Sequence, residues 1–544
     1  MSTFYQKLLS SAEAGAPVWL SEVRASGASA PGAARLVLRL TDCAGAQDDF
    51  ELFLPPWDGA EERAFARSIL SACVFNLLSA RGGRELRVFF DTGDPALSAL
   101  LGELDALFQL REKPRRGLGK AVSVSERIAA ALGGGRFAIA LGDLSSYGPL
   151  PAREAEAVGE PLAEKLKKAA ARAEWGFCCG MDVGGTDVKL AVSLDGALVY
   201  TREFDWDPSS SQDAEGVAAP LLALAEEARA RCGGARRFDA IGLSFPDVVI
   251  RDRILGGETP KTRGIRNNPS LDYESEFSAL GRLNERLLAL CVPGGRVRVT
   301  NDGSMAAFTA AMELAFRGEE GLEKGVLAHS LGTDLGSGWL LPDGRVPALP
   351  LEMYDFLVDL GSFPQRRYDP EDLRSVRNEN SGLPGARRYL GQAACYRMAD
   401  ELEPSLLEGF AEEKDGLLVV PSARRKPCLE HLMARAERGD AAAEEIFRRI
   451  GRHLAEVNRE MRLILRPETE TRYLYGRFVK RERCFALIRE GCAAALPELK
   501  LIAADDSLAC SPLMRQLARR EGVTVAQFGQ AVGSVYYAWM EENG

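Results

Sequence analysis

Over residues 1 to about 115, short apolar runs at 35–40, 50–54 and 86–90 predict strands, and a helical spacing of apolar positions over 64–80 predicts a helix among them. Residues 112–120 (EKPRRGLGK) are basic, carry Pro and Gly, and read as a connector. A helical pattern, a Gly-Gly-Gly break at 133–135, a short apolar run at 137–141 and a charged helix through 165–172 follow. Nothing in these first 173 residues points to chemistry. From Trp175 the pattern changes to apolar runs alternating with longer helical stretches, the order of an α/β domain. The run 176–181 predicts a buried strand leading into Asp182-Val183-Gly184-Gly185-Thr186-Asp187-Val188-Lys189; 190–194, an Asp-Gly turn at 195–196 and 197–204 complete a hairpin. A helix at 214–232, a strand at 240–245 ending at Pro246, a helix at 274–291, a strand at 296–300 and a helix at 304–316 capped by Asn301-Asp302 come next.

The theme then repeats. A strand at 325–330 enters Leu331-Gly332-Thr333-Asp334-Leu335-Gly336-Ser337-Gly338 and reaches another Asp-Gly turn at 343–344. Gly-Thr-Asp precedes a strand in both halves, and the Asp-Gly turn follows eight residues after Asp187 and nine after Asp334. Residues 360–435 are rich in Pro, Arg and Glu with weak periodicity. A long amphipathic helix from 434 to about 465, with a break near Gly439, a strand at 473–475 and helices at 481–495, 511–521 and 525–540 close the chain. The division expected is 1–115 (α+β), 116–173 (helical connector), 174–300 (first lobe) and 301–544 (second lobe, with an irregular insertion at about 360–435).

Composition narrows the function classes. The 544 residues are 46% hydrophobic and 27% charged, ordinary for a globular protein. With 68 Lys+Arg against 78 Asp+Glu the net charge is −10, which disfavours general nucleic-acid binding, and no helix-turn-helix is evident. Anionic substrates are not excluded, because backbone N–H groups and Mg²⁺ hold phosphates locally. No window reaches the roughly 18 apolar residues of a membrane span, so no membrane partner is expected. The start lacks a basic segment followed by an apolar core. The 11 Cys include no Cys-x-x-Cys pair, and a reducing cytoplasm fits.

Three segments carry chemistry. In Asp182-x-Gly184-Gly185-Thr186-x-x-Lys189, glycines let backbone N–H groups approach phosphate oxygens, Thr186 adds a hydroxyl, and Asp182 at a strand end is placed for hydrated Mg²⁺. Gly332 and Thr333 form the matching loop. In Thr300-Asn301-Asp302-Gly303, Asp302 stands where a strand meets a helix; it reads either as part of a helix cap or as a general base, with Asn301 as a hydroxyl ligand. Of the remaining polar residues, His329 reads as packing on a strand and His431 and His453 as helix surface; Arg387-Arg388 and Arg424-Arg425-Lys426 read as solvated faces, with contact to an anionic substrate as the alternative for one of them. Lys261, Arg263 and Arg266 cluster in the loop after Pro246 and read either as a solvated loop or as a selector of a phosphorylated or acidic sugar.

These segments, in this order, resemble the ROK family of sugar kinases, within the actin-like, hexokinase and Hsp70-type ATPase superfamily. The stretch from Ala434 to Pro467 and Gln530-Ala531-Val532-Gly533 resemble the family's long helix and closing helix. The likeness covers about 175–540 and leaves the first 173 residues outside. It implies a two-lobed actin-like (ribonuclease H-like) α/β core behind an α+β N-terminal domain. It also implies ATP- and Mg²⁺-dependent phosphorylation of a sugar hydroxyl: Gly184, Gly185, Thr186, Gly332 and Thr333 on the ATP phosphates, Asp302 as base, Asn301 and Glu352 on sugar hydroxyls, and Asp182 positioning Mg²⁺. Homodimers are usual for the family.

The departures are specific. Glu352-Met353-Tyr354-Asp355 has Asp355 where the family has His, and 361–395 holds one Cys and no His, so no zinc is expected. The family's Pro-Gly is Pro246-Asp247, and its Gly-rich adenosine segment is Tyr475-Gly476-Arg477-Phe478, where Arg477 either stacks on adenine or fills the pocket. The first reading is a carbohydrate kinase, favoured by Asp302 and both loops. The alternative is a non-catalytic sugar- or nucleotide-binding regulator, favoured by the missing zinc loop and the altered adenosine segment.

Overall fold

The computed structural model describes residues 3–109, 117–151, 160–257, 260–362, 369, 371–377 and 382–541. Residues 112–116 of the expected connector lie outside these. The chain forms two compact units, each assembled from separated stretches: Met1–Ala155 with Leu349–Arg466 and Leu487–Pro497, and Glu156–Ala348 with Pro467–Ala486 and Glu498–Gly544. The N-terminal stretch therefore shares a unit with the insertion region.

In the first unit, β1 (Ala34–Thr41), β2 (Gln47–Leu54), β3 (Glu85–Phe90) and β4 (Ala138–Asp143) make one sheet in the order β2-β1-β3-β4. The pairs are antiparallel except β3–β4. The Ala60–Arg81 helix is buried along most of its length and packs against the Ala441–Leu465 helix. Fully buried Asn76 joins distant segments of this unit: its Nδ2 donates to Glu460 Oε1 (3.1 Å) and to the Leu357 carbonyl (3.3 Å), and its Oδ1 accepts from Leu357 N (2.8 Å). Gly439, in the left-handed region at φ 81°, separates the Ser422–Glu437 and Ala441–Leu465 helices where the sequence placed a break.

Two expectations fail in this unit. His453 is not on an open helix face: its ring packs against Trp19 and Tyr389, and its Nδ1 donates to the Tyr389 carbonyl (3.0 Å). Burial pushes the imidazole down to about 3. Arg387 and Arg388 are buried rather than solvated; for Arg388 a carbonyl takes the place of water, its Nε donating to the Arg377 carbonyl (2.9 Å). Arg424, Arg425 and Lys426 are exposed as expected.

The second unit carries two large sheets, and Val249–Ile250 pairs with Arg253–Ile254 in a short antiparallel ribbon beside them. The first contains β5 (Phe177–Val183), β6 (Asp187–Leu194), β7 (Ala197–Asp205), β8 (Phe238–Phe245) and β9 (Cys291–Asn301), in the order β7-β6-β5-β8-β9. Its hairpin strands pair antiparallel, and β5, β8 and β9 run parallel. The second contains β10 (Val326–Leu331), β11 (Leu335–Leu340), β12 (Thr471–Gly476) and β13 (Lys500–Ala503), in the order β11-β10-β12-β13 with the same directions and one hairpin strand fewer. A hairpin followed by parallel strands on the far side of its first strand, occurring twice, is the ribonuclease H-like order. The duplication read in the sequence is thus a duplication of sheets, and the fold is the actin-like α/β core.

The Val525–Tyr537 helix lies on the first sheet and the Asp302–Arg317 helix on the second, and the two helices touch. The contact of the Val525–Tyr537 helix with the sheet excludes side chains: a Cβ on Gly242 would stand 1.8 Å from the Ser534 carbonyl oxygen. The helix expected at 274–291 is instead Tyr273–Leu280 and Leu283–Leu288, and Cys291 opens β9. Among the described residues no helix is long and apolar enough to cross a membrane.

Candidate active site

β5 ends at Val183, and the turn Gly184–Asp187 leads into β6. Gly184 N donates to the Asp187 carbonyl (2.8 Å), closing the loop on itself. From the other side Trp206 holds it: its backbone N–H donates to the Thr186 carbonyl (3.1 Å) and its indole Nε1–H to the Gly184 carbonyl (3.0 Å). Two loop carbonyls are thereby tied back. The N–H groups of Gly185 and Thr186 make no hydrogen bond among the described residues, so both remain available to an anion.

Asp182, partly buried at the end of β5, faces Ser244 of β8 in register. Its carboxyl is pushed up to about 6, chiefly by burial; Lys189 opposes the shift and the charges of Asp187 and Asp302 add to it. Burial alone would lower Lys189, but Asp182 and Asp187 outweigh it and raise the ammonium, which is ion-paired with Asp187. A carboxylate crowded by two others suits a divalent cation, which would offset that repulsion. Mg²⁺ asks for only one or two protein carboxylates beside water and phosphate, and Asp182 meets that demand. Among the described residues, no group of three or more His, Cys, Asp or Glu is placed to hold a metal by protein ligands alone.

Asp302 is the first residue of the Asp302–Arg317 helix. Asn301 Oδ1 caps that helix through Gly303 N (2.8 Å), and Asn301 Nδ2 donates to the Asp247 carbonyl (2.9 Å). The cap reading of this segment therefore holds for Asn301, and in part for Asp302, whose Oδ1 also accepts from Gly303 N (2.9 Å) while its Oδ2 does not; one Asn301 Nδ2 hydrogen is left for a ligand. Gly303 presses the helix start on β11 so closely that a Cβ would lie 2.2 Å from the Ser337 carbonyl oxygen, and on Gly338 a Cβ would lie 2.0 Å from the Gly303 carbonyl. This contact brings Asp302 to the second hairpin, its Oδ1 3.7 Å from where a Gly336 Cβ would be. Its Oδ2 lies 3.7 Å from Lys261 Nζ.

The second hairpin repeats the first in outline. Gly332 N donates to the Asp334 carbonyl (3.1 Å), and Thr333 is exposed at the tip. His329 below it is fully buried, as expected, with Nδ1 2.8 Å from Ser337 Oγ. Across from Leu331 stands Gly476, at φ 99°, where a Cβ would strike the Leu331 carbonyl at 2.2 Å. The one glycine of the Tyr475–Phe478 segment is thus required by strand packing. Phe478 and Val479 after it are buried.

The second unit thus holds Asp182, Gly184, Gly185, Thr186, Asn301, Asp302, Gly332 and Thr333. Glu352 belongs to the first unit, where its N–H donates to the Ser79 carbonyl (2.9 Å). Asp355 is also there, ion-paired with fully buried Lys120, which touches the Tyr354 hydroxyl (2.8 Å) as well. Sequence reasoning gave no role to Trp206 or Lys189. Trp206 had no signal, because its loop contact exists only after β7 has paired with β6; Lys189 was visible inside the motif.

No protein-family model matches the chain, and no curated protein matches it by sequence. Solved structures similar to it include a ROK family glucokinase from Streptomyces griseus in complex with glucose and AMPPNP, at 19% identity and TM-score 0.42, covering 67% of this chain and 99% of that one. A ROK hexokinase from Thermus thermophilus follows at 18% and 0.39, covering 66% and 97%. A ROK family transcriptional regulator, described as a homologue of the E. coli MLC protein, stands at 17% and 0.39, covering 67% and 81%. Kinases and a regulator thus both occur among the similar structures, and the fold assignment above rests on strand order.

Proposed function

We propose that the protein transfers the terminal phosphoryl group of ATP to a hydroxyl of a sugar or amino sugar, with Asp302 as general base. The observation that carries this reading is the position of Asp302 between the two loops: against Gly336 of the second hairpin and, through Lys261, beside Gly185 of the first. A base must stand where the acceptor hydroxyl meets the phosphoryl group, and strand-end loops on both sides are the place for phosphates. Asp302 takes the hydroxyl proton as the oxygen attacks. The N–H groups of Gly185 and Thr186 receive phosphate oxygens on one side, with Gly332 and Thr333 on the other. Asp182 would hold Mg²⁺, which when bound supplies charge neutralisation to the phosphates. Asn301 fixes the helix start that carries Asp302 and offers its spare N–H to the sugar.

ADP release from Mg·ATP, followed across hexoses and N-acetylhexosamines, tests the reading. Asp302→Asn should lower turnover about a hundredfold or more while nucleotide affinity stays close to that of the wild type. Unchanged turnover removes Asp302 as base. The alternative, a non-catalytic regulator, draws on Gly476 being consumed by packing and Phe478 being buried; tight ligand binding by the wild type with no turnover on any acceptor would favour it.

A further inference from the structure

Lys261 is a basic side chain of the 260–267 segment that stands against two residues of the site, Gly185 and Asp302. It sits in the turn Pro260–Thr262, followed by the short helix Arg263–Asn267. The turn is anchored: Thr262 and Ile265 are buried, and Gly264 lies so close to the 208–211 turn that a Cβ would stand 2.2 Å from the Ser211 carbonyl oxygen. From this base the Lys261 stem runs past Gly185, with its Cε 3.4 Å from where a Gly185 Cβ would be, and the ammonium reaches to 3.7 Å from Asp302 Oδ2. That distance exceeds a direct hydrogen bond, so the pair is loose, and both side chains retain access to solvent. An ammonium has three donors, and this one stands between the phosphate loop and the base with donors to spare.

The charges around it give it a task. Asp182, Asp187 and Asp302 are three carboxylates, and Lys189 is committed to Asp187. A group passing from the first loop to a hydroxyl at Asp302 crosses the space beside Lys261 Nζ. We propose that Lys261 contacts the terminal phosphoryl group of the bound nucleotide, holding its oxygens during transfer and keeping the incoming negative charge off Asp302. The proposal rests on the phosphoryl-transfer reading above. It extends that reading by assigning a substrate-contacting residue, one supplied by the loop after Pro246 and aimed at the donor phosphate. The sequence had offered that loop only as a solvated segment or a selector of anionic sugars.

The test compares two nucleotides that differ by that phosphoryl group. Calorimetry of the full chain with Mg·AMPPNP and with Mg·ADP is run on the wild type, Lys261→Gln and Lys261→Arg. The expected result is a loss of roughly ten- to hundredfold in AMPPNP affinity for Lys261→Gln, the size of a charge-assisted contact. ADP affinity should change less than about twofold, and Lys261→Arg should recover most of the loss. Equal losses for both nucleotides, or none for either, would overturn the assignment while leaving the nucleotide site standing. A wild type that binds neither nucleotide would overturn both the nucleotide site and this contact. Matching melting curves of the three proteins separate a lost contact from a lost fold, and the Arg variant carries the test if the Gln variant melts early.

Discussion

The two hairpins of the second unit share a backbone and differ in what holds them. In each, a glycine N–H closes on the carbonyl of an aspartate, Gly184 on Asp187 and Gly332 on Asp334. Two residues before the glycine, the first has Asp182 and the second has Ser330. The first loop is fixed by side chains, through the Trp206 indole and the Lys189–Asp187 pair. The second is fixed by backbone packing, with Gly338 and Gly303 in contact and Gly476 against Leu331. One fold device thus has two electrostatic settings: the first hairpin adds the Asp182 carboxylate at its strand end, which suits a cation, where the second has the neutral Ser330.

The largest effect should come from breaking the packing of the second hairpin. Gly338→Ala places a Cβ 2.0 Å from the Gly303 carbonyl, which is backbone and has nowhere to go. The expected cost is about 3 kcal/mol or more, seen as a fall of roughly 6–12 °C in Tm for a unit of this size. A Tm equal to that of the wild type would mean that the helix start and β11 are not in this contact.

Next comes the charge that only the first hairpin carries. The Asp182 carboxyl sits at about 6, above its ordinary 3.8, so the folded state binds this proton more tightly than the unfolded chain. Its contribution therefore favours folding at low pH, fades as pH rises from about 4 through about 6, and is a net cost above that. In magnesium-free buffer with chelator, Asp182→Asn should be more stable than the wild type at pH 7.5 by about 1–3 kcal/mol, and the two should converge near pH 4. Denaturant titrations at both pH values measure it. Ser330→Ala, at the matching place in the second hairpin, should show no such pH dependence.

How far these differences could be read from sequence depends on range. The strands of the second unit were legible because apolar runs ending in Gly, Thr and Asp carry their own turn chemistry, and the repeat of Gly-Thr-Asp announced a second sheet. The 274–291 helix was over-extended because the break at Gly281 is imposed from outside: a Cβ there would meet the Ile254 carbonyl at 2.7 Å. The union of Met1–Ala155 with Leu349–Arg466 was illegible for the same reason at greater distance. It is made by residues such as Asn76 reaching Glu460 and Lys120 reaching Asp355, which no local pattern encodes. Around the first loop, the Gly-Gly-Thr motif was visible in the sequence and the side chain that ties it back was not, since Trp206 acts through a contact that pairing creates.

Trp206 gives a smaller effect confined to the first hairpin. Trp206→Phe keeps a ring and removes the Nε1–H that holds the Gly184 carbonyl, a bond worth about 0.5–1.5 kcal/mol. Released, that carbonyl is free to turn toward the phosphates. Mg·AMPPNP affinity should fall about three- to tenfold by calorimetry, and unchanged affinity would mean that the indole does not orient the loop.

The smallest change in stability is the most informative about function. The sequence offered Gly184 and Gly332 as equivalents, both sparing a phosphate from a Cβ. Their surroundings differ: on Gly184 a Cβ would meet the Asp187 carbonyl at 2.9 Å and its carboxylate at 3.0 Å, whereas on Gly332 it would meet nothing within 4 Å, and neither backbone is left-handed. Gly184→Ala must shift its own loop, so any loss of binding mixes a fold effect with a ligand effect. Gly332→Ala should leave Tm within about 1 °C, as a surface change of under about 0.5 kcal/mol does. Any fall in nucleotide affinity then comes from the methyl group meeting the ligand. A tenfold loss for Mg·AMPPNP at constant Tm would place phosphate against the second loop, and unaltered affinity would mean that the second hairpin shapes the site without touching the nucleotide.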